Sequence, residues 1–167
     1  MKVVKMLVYV LLALIVAAVA AAQMGMLSGR QPPDLGVKQG RLKAPSNTPN
    51  SVSSQADLYP DHPQQAYAFI EALPLKHGDA SVSVQALVAA LSTLSGVTVV
   101  EQRHDYVRVE AQTPWLKFVD DLEFWVNPER QVIDIRSASR LGRKDFGVNR
   151  QRIEALRKAY LAGQAAS

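Results

Sequence analysis

The chain has 167 residues, 48% of them apolar and 20% charged, which is the composition of a folded protein and excludes a fibrous or wholly disordered one. It contains no cysteine, so disulfides, thiolate metal sites, cysteine nucleophiles and a lipidated cysteine are all ruled out. The formal net charge of +4 is mild and owes part of its value to Lys2 and Lys5 at the extreme N-terminus, so nucleic acid is not an expected partner.

After those lysines, Met6 to Leu27 carries no charge. As a helix rising about 1.5 Å per residue it would reach roughly 33 Å, the depth of a bilayer core. Residues 1–28 therefore read as a membrane anchor. The alternative is a cleaved signal peptide, with Ala20-Ala21-Ala22 offering a peptidase site before Gln23. Lys2 and Lys5 precede the apolar run while Arg30, Lys38, Arg41 and Lys43 come after it, which leaves the positive-inside rule ambiguous. A short N-tail favours export of the chain beyond the apolar run. The expected location is the inner membrane with the domain facing the periplasm, or the periplasm itself after cleavage.

Residues 29–59 read as an extended linker: Pro32-Pro33, Pro45 and Pro49 interrupt any helix or ladder, while Leu35, Val37, Leu42 and Val52 could pin parts of the segment to the domain. The domain occupies 60–167. Ala66 to Leu73 is expected as a strand because of Phe69-Ile70 and the following Pro74. Asp79 or Ser81 caps a helix with Val84, Leu87, Val88, Leu91 and Leu94 at three- and four-residue spacing, ending at Gly96. Four runs come next across short polar turns, Val97 to Glu101, Tyr106 to Gln112, Leu116 to Val126 and Gln131 to Ser139, and predict an antiparallel meander. Alternation of Val107, Val109 and Ala111 with Arg108 and Glu110 gives the sheet one wet face. The last helix takes Asn149 as N-cap, Val148 and Ile153 as a hydrophobic staple, and Ile153, Leu156, Tyr160 and Leu161 as its apolar stripe. The order β-α-β-β-β-β-α defines an α+β domain, an antiparallel four- to five-stranded sheet with two helices on one face, behind an N-terminal transmembrane helix.

In the third run the two-residue period places Asp120 with Phe118, Leu122, Phe124 and Val126, and Asp121 with Val119, Glu123 and Trp125. A carboxylate among apolar side chains needs a partner, for which Arg136 and Arg140 are nearest in sequence. The stretch Arg136 to Arg150, with Ser137, Ser139, the glycine loop and the start of the last helix, joins guanidinium groups to helix amides and forms a candidate anion site. Its competitor is internal pairing of Arg136 and Arg140 with Asp120, Asp121 and Glu123. His62, His77 and His104 are scattered without metal-ligand spacing, no serine sits in a nucleophile elbow, and Trp115 and Trp125 are expected to pack; neither metal nor cofactor is expected.

Asp34-Leu35-Gly36, Pro49-Asn50, Val52-Ser53-Ser54-Gln55, Phe118-Val119-Asp120-Asp121 with Glu123-Phe124, and the Arg136 to Arg152 stretch together resemble the domain-of-unknown-function family fourteen ninety-nine over about residues 34 to 160. The resemblance implies no activity. It implies that the Ser53-Ser54-Gln55 segment, the Asp120-Asp121 strand and the Arg136 to Arg140 loop meet in space. Many members carry cysteines around the Pro-Asn motif, where this chain has Ser51, so a thiol role does not carry over. The expected function is a membrane-tethered, non-catalytic envelope module holding a polar or anionic ligand through Ser53, Ser54, Gln55, Asp120, Asp121, Arg136, Ser137, Ser139, Arg140, Asn149 and Arg150. The alternatives are a structural or assembly partner of an envelope protein complex and, third, an envelope hydrolase using Asp120, Asp121 or Glu123.

Overall fold

In the computed structural model, which describes residues 1–163, the first element is helix α1, Lys2–Gln23. Residues 164–167, the end of the expected domain, lie outside the described residues. The domain then runs through β1 (Ser51–Ser53), a single 3-10 turn at Ala56–Leu58, α2 (Gln65–Ala68), β2 (Leu73–Pro74), α3 (Ala80–Leu91), β3 (Val97–Gln102), β4 (Tyr106–Gln112), β5 (Val119–Asn127), β6 (Val132–Ser139) and α4 (Val148–Ala162).

The meander β3 to β6 is antiparallel throughout and its strand order is β1-β6-β5-β4-β3. β1 and β2 share the outer edge of β6, with Ser53 opposite Arg136 and Leu73 opposite Ile133. The region expected as one strand, Ala66 to Leu73, is therefore mostly something else. A single helical turn ends at Ala68, Phe69 makes one parallel bridge to Ser53, and only Leu73–Pro74 pairs with β6. Its apolar residues report burial without periodicity: Ala68, Ile70 and Leu73 all enter the core.

α3 and α4 pack on one face of the sheet. Val84, Leu87 and Leu91 from α3 and Ile153, Leu156 and Tyr160 from α4 meet Val107, Val109, Leu122, Phe124, Ile133 and Ile135 in one apolar cluster. Each such side chain removed from water contributes about 1.5–3 kcal/mol. Asp79 caps α3 by accepting from the Val82 amide at 2.9 Å. Lys76 joins the two helices: its Nζ donates to the Tyr160 carbonyl at 2.7 Å and sits 4.5 Å above the Tyr160 ring, where a cation complements the C-terminal end of α4. Burial pushes this ammonium below the usual lysine range.

The opposite face is wet only along β3, where Thr98 and Val100 are exposed; over β5 and β6 it is covered. Residues 34–46, which we call the strap, cross it and place Leu42 and Val37 against Tyr106 and Trp125. The strap contains a two-residue hairpin in which Lys38 and Arg41 exchange backbone hydrogen bonds of 2.8 and 3.1 Å across Gln39-Gly40. Both turn residues have positive φ, 52° and 71°, the geometry of a type I′ turn.

α3 gives way to β3 through Gly96, whose φ is +71° and whose added Cβ would lie 2.6 Å from the Gln112 carbonyl oxygen. Gly96→Ala therefore meets both an unfavourable backbone and a collision with a strand. The expected loss is about 2 kcal/mol or more in urea denaturation; a loss under about 0.5 kcal/mol, the size of an ordinary surface change, would contradict this account of the turn.

Candidate functional site

The antiparallel register sends alternate residues of β5 to opposite faces, so the residues singled out by sequence divide into two polar clusters. One lies under the strap. Glu123 is fully buried and accepts from Tyr106 Oη at 2.9 Å, from the strap amide of Gly36 at 2.6 Å and from Arg136 Nη1 at 3.4 Å. Burial and the neighbouring Glu123 push the Tyr106 hydroxyl well above the usual tyrosine range, so it remains a proton donor to the carboxylate. Desolvation also lowers the Arg136 guanidinium from its ordinary value, against the pull of Glu123.

Beside this pair, Arg140 grips Asp121 with two bonds, Nε to Oδ2 at 2.8 Å and Nη2 to Oδ1 at 2.7 Å, and reaches Glu110 with the same Nη2. The bidentate bond to Asp121 dominates in raising the pKa of Arg140. Asp134, also fully buried, accepts from Ser54 Oγ at 2.8 Å, Gln55 Nε2 at 2.9 Å, Asn127 Nδ2 at 2.8 Å and Arg130 Nη1 at 2.9 Å. Gln55 turns its carbonyl oxygen to the Leu42 amide at 2.8 Å, fastening the strap a second time. Ser53 Oγ accepts from the Gln55 amide at 3.1 Å and shapes that bend.

The second cluster lies on the helix side, centred on Asn149. Asn149 is fully buried within the first turn of α4 and is not its N-cap; Gly147, with φ 82°, occupies that position. Asp145 performs the capping, accepting from the Gly147 amide at 3.1 Å and the Asn149 amide at 3.0 Å, and from Tyr67 Oη at 2.6 Å. Burial pushes this carboxyl up, but those donors outweigh it and leave its pKa below the usual range. Burial and the bond to Asp145 push Tyr67 up to about 12. Asn149 Nδ2 reaches the Asn50 carbonyl at 3.2 Å and Ser139 Oγ at 3.1 Å, while its oxygen accepts from Ser137 Oγ. One side chain thereby ties β1, β6 and α4 together. The expected staple is not made, because Val148 points outward and is 42% exposed.

Asp120 shares the helix-side face with Leu122 and Phe124, and its partner is neither Arg136 nor Arg140 but Arg152 of α4, at 2.8 Å. The sheet separates Asp120 from Arg136, which faces the strap. Arg150 donates to the Phe69 carbonyl at 2.9 Å and to the Tyr67 carbonyl, fixing α2. The three signature segments do come together on β1, β6 and β5, but their charged groups face one another: Asp121, Glu123, Asp134 and Arg136 are almost wholly shielded from solvent. No group of three or more His, Asp or Glu side chains spaced for a metal occurs among the described residues. Trp125 packs, whereas Trp115 is 75% exposed and does not.

A surface site that sequence reasoning passed over lies on the outer side of the strap. Asp34, Lys38, Arg41, Lys43, Tyr59 and His62 line an open cleft of about 580 Å³. Its one carboxylate, Asp34, is held by Lys43 at 2.6 Å and kept below the usual carboxylate range by that bond. Among the described residues, the side chains of Lys38 and Arg41 have no carboxylate within ion-pair distance, and the Arg41 guanidinium lies 5.7 Å from the Tyr59 ring centre. His62 Nδ1 accepts from the Gln64 amide at 3.1 Å, leaving Nε2 as the ring donor. The signal was present as the cations Lys38, Arg41 and Lys43, closely spaced in a segment read as linker.

Fold and site together define a small α+β domain with a charge-paired, strapped sheet face, following a helix long and apolar enough to cross a membrane. The chain belongs to the family described as Protein of unknown function (DUF1499), whose model matches residues 41–160. No curated protein and no solved structure matches it.

The pairing of Glu123 with Arg136 is testable because removing one buried partner leaves an uncompensated charge. Arg136→Met is expected to cost about 3–5 kcal/mol in urea denaturation, and adding Glu123→Gln, which keeps the acceptor oxygen but removes the charge, is expected to restore most of it. Additive losses in the double variant would show that the two groups are not coupled.

Proposed function

We propose that this protein is a membrane-tethered, non-catalytic module of the cell envelope, exposed to the periplasm, that holds a small anionic ligand in the strap cleft. The observation that carries this reading is the charge balance of the cleft: Lys38 and Arg41 have no carboxylate within ion-pair distance among the described residues, and the only acid lining the cleft is neutralised by Lys43. Phosphate or carboxylate groups would meet two cations and the His62 ring in an open site. Of the residues that the sequence suggested as ligand contacts, Gln55, Asp121, Arg136 and Arg140 lie one layer below the cleft, while Asp120, Ser137, Ser139, Asn149 and Arg150 lie on the helix side of the sheet. Gln55 and Glu123 hold the strap by its Leu42 and Gly36 amides, and Arg136, Asp121 and Arg140 keep that layer electrically neutral. An acid–base role for Asp120, Asp121 or Glu123 gains no support from groups that face arginines and are closed to solvent.

The assembly-partner alternative is favoured by a different observation. Phe146 is 88% exposed, its φ of 54° is unusual for an aromatic residue, and it lines a shallow hollow of about 410 Å³ with Tyr67, Lys144 and Arg150.

Thermal denaturation of the full chain in neutral detergent separates the two. Pyrophosphate, compared with chloride at equal ionic strength, is expected to raise Tm by several degrees, since a ligand at about a hundred times its Kd adds about 2.7 kcal/mol. Lys38→Ala combined with Arg41→Ala is expected to abolish the shift while leaving the ligand-free Tm unchanged. An identical shift in the double variant, or none in the wild type, would transfer the weight to the Phe146 surface.

A further inference from the structure

Three segments distant in sequence meet at one end of the sheet, and all three lead back to α1. The last turn of α1 is seated on the domain, with Ala22 fully buried and Gln23 Nε2 donating to the Trp115 carbonyl at 2.9 Å in the β4–β5 loop. A few residues later Gly29, with φ +69°, passes so close to the loop after β6 that an added Cβ would lie 2.8 Å from Arg140 Cβ and 3.0 Å from Leu141 Cγ. The loop after β6 is joined to the start of β5, directly beyond the β4–β5 loop, by the Arg140 amide, which donates to the Val119 carbonyl at 3.1 Å. The helix and the domain are thus connected by seated contacts rather than by a free tether.

The side chains displayed at this end are of one kind. Trp115 is 75% exposed, Leu116 41% and Leu141 42%, and Met24 and Met26, just beyond the helix, are 76% and 70% exposed. Arg30 and Arg143 are exposed in the segments that carry these side chains, and among the described residues neither has a carboxylate within ion-pair distance; Asp120 and Asp121 are buried and paired with Arg152 and Arg140, and Glu110, 31% exposed, is held by the same Arg140. Apolar tips and an indole carried on segments that also expose arginines match the boundary between acyl chains and anionic headgroups.

Length places this surface at that boundary. The 22 residues of α1 rise about 33 Å, close to the roughly 30 Å of a bilayer core, so the Gln23 end emerges at the interface with Trp115 bonded beside it. We propose that the β4–β5 loop and the loop after β6 form a membrane-apposed face, with Trp115, Leu116 and Leu141 inserted at headgroup depth and the flanking cations on anionic lipid. The strap cleft is then carried at a fixed attitude to the bilayer. This inference rests on α1 being retained as an anchor.

The test uses the full chain reconstituted in vesicles of phosphatidylcholine and phosphatidylglycerol, with acyl chains either brominated or not. Brominated lipid is expected to quench part of the tryptophan emission, and Trp115→Phe is expected to lose that quenchable part, because the other indole, Trp125, is buried under the strap. Protein that floats with the vesicles and resists carbonate extraction, yet shows no quenching or shows the same quenching in Trp115→Phe, would overturn the membrane-apposed face while leaving the anchor standing. Protein that fails to float with the vesicles would remove the anchor and this face with it.

Discussion

Glu123, Asp134 and Asp121 sit in the interior of a small domain with essentially no exposure to water. Carboxylates can occupy such positions only when each lone pair is answered, since a dry unpaired charge costs far more than a domain of this size has to spare. Most of the architecture on this side of the sheet follows from that requirement. Arg136 and Arg140 answer from β6 and its loop, Arg130, Ser54, Gln55 and Asn127 converge on Asp134, and the remaining acceptor of Glu123 recruits a backbone amide from the strap. The strap has no ladder of its own to join. It is held because the sheet needs its amides and because Leu42 and Val37 cover Tyr106 and Trp125.

Buried ion pairs of this kind add little net stability over a well-packed apolar layer, but losing one partner is costly, so they select one arrangement over others. Here the arrangement selected is the path of the strap, and with it the position of the hairpin that presents Lys38 and Arg41. The other polar cluster acts in the same way on the far face, where Asn149 and Asp145 fix the start of α4 against β1 and β6. Both faces are therefore locked by side chains from the Asn50 to Gln55 and Arg136 to Asn149 segments, which lie within the residues that the family model matches.

The meander, both long helices and the helix-covered face were legible in the sequence, because the period of two in β4 and β6 and the three- and four-residue spacing in α3 and α4 each answer to one burial direction. The division of Asp120 from Asp121 by face was also legible. The internal pairing of Arg140 with Asp121 and of Arg136 with Glu123 was legible as well, but the partner of Asp120 was not: proximity in sequence pointed to Arg136, whereas the pleat sends those two side chains to opposite faces and α4 supplies Arg152. Ala66 to Leu73 misled because a short apolar run reports burial and not conformation. The wet face misled because β4 and β6 carry charges at the right spacing for solvent exposure, and nothing in a strand pattern reveals that a proline-rich segment will cover them. Asn149 looked like a cap by type and position, but the helix starts earlier, and Asp145 accepts from the Gly147 and Asn149 amides.

The strap belongs to the folded domain as firmly as the strands beneath it. Hydrogen–deuterium exchange resolved to the amides of Gly36 and Leu42 tests this most directly, since each donates to a side chain of the buried layer. Both amides are expected to exchange as slowly as those of β5. Free exchange of both amides while β5 stays protected would mean that the strap is a loose tether, and that Glu123 and Gln55 do not hold it.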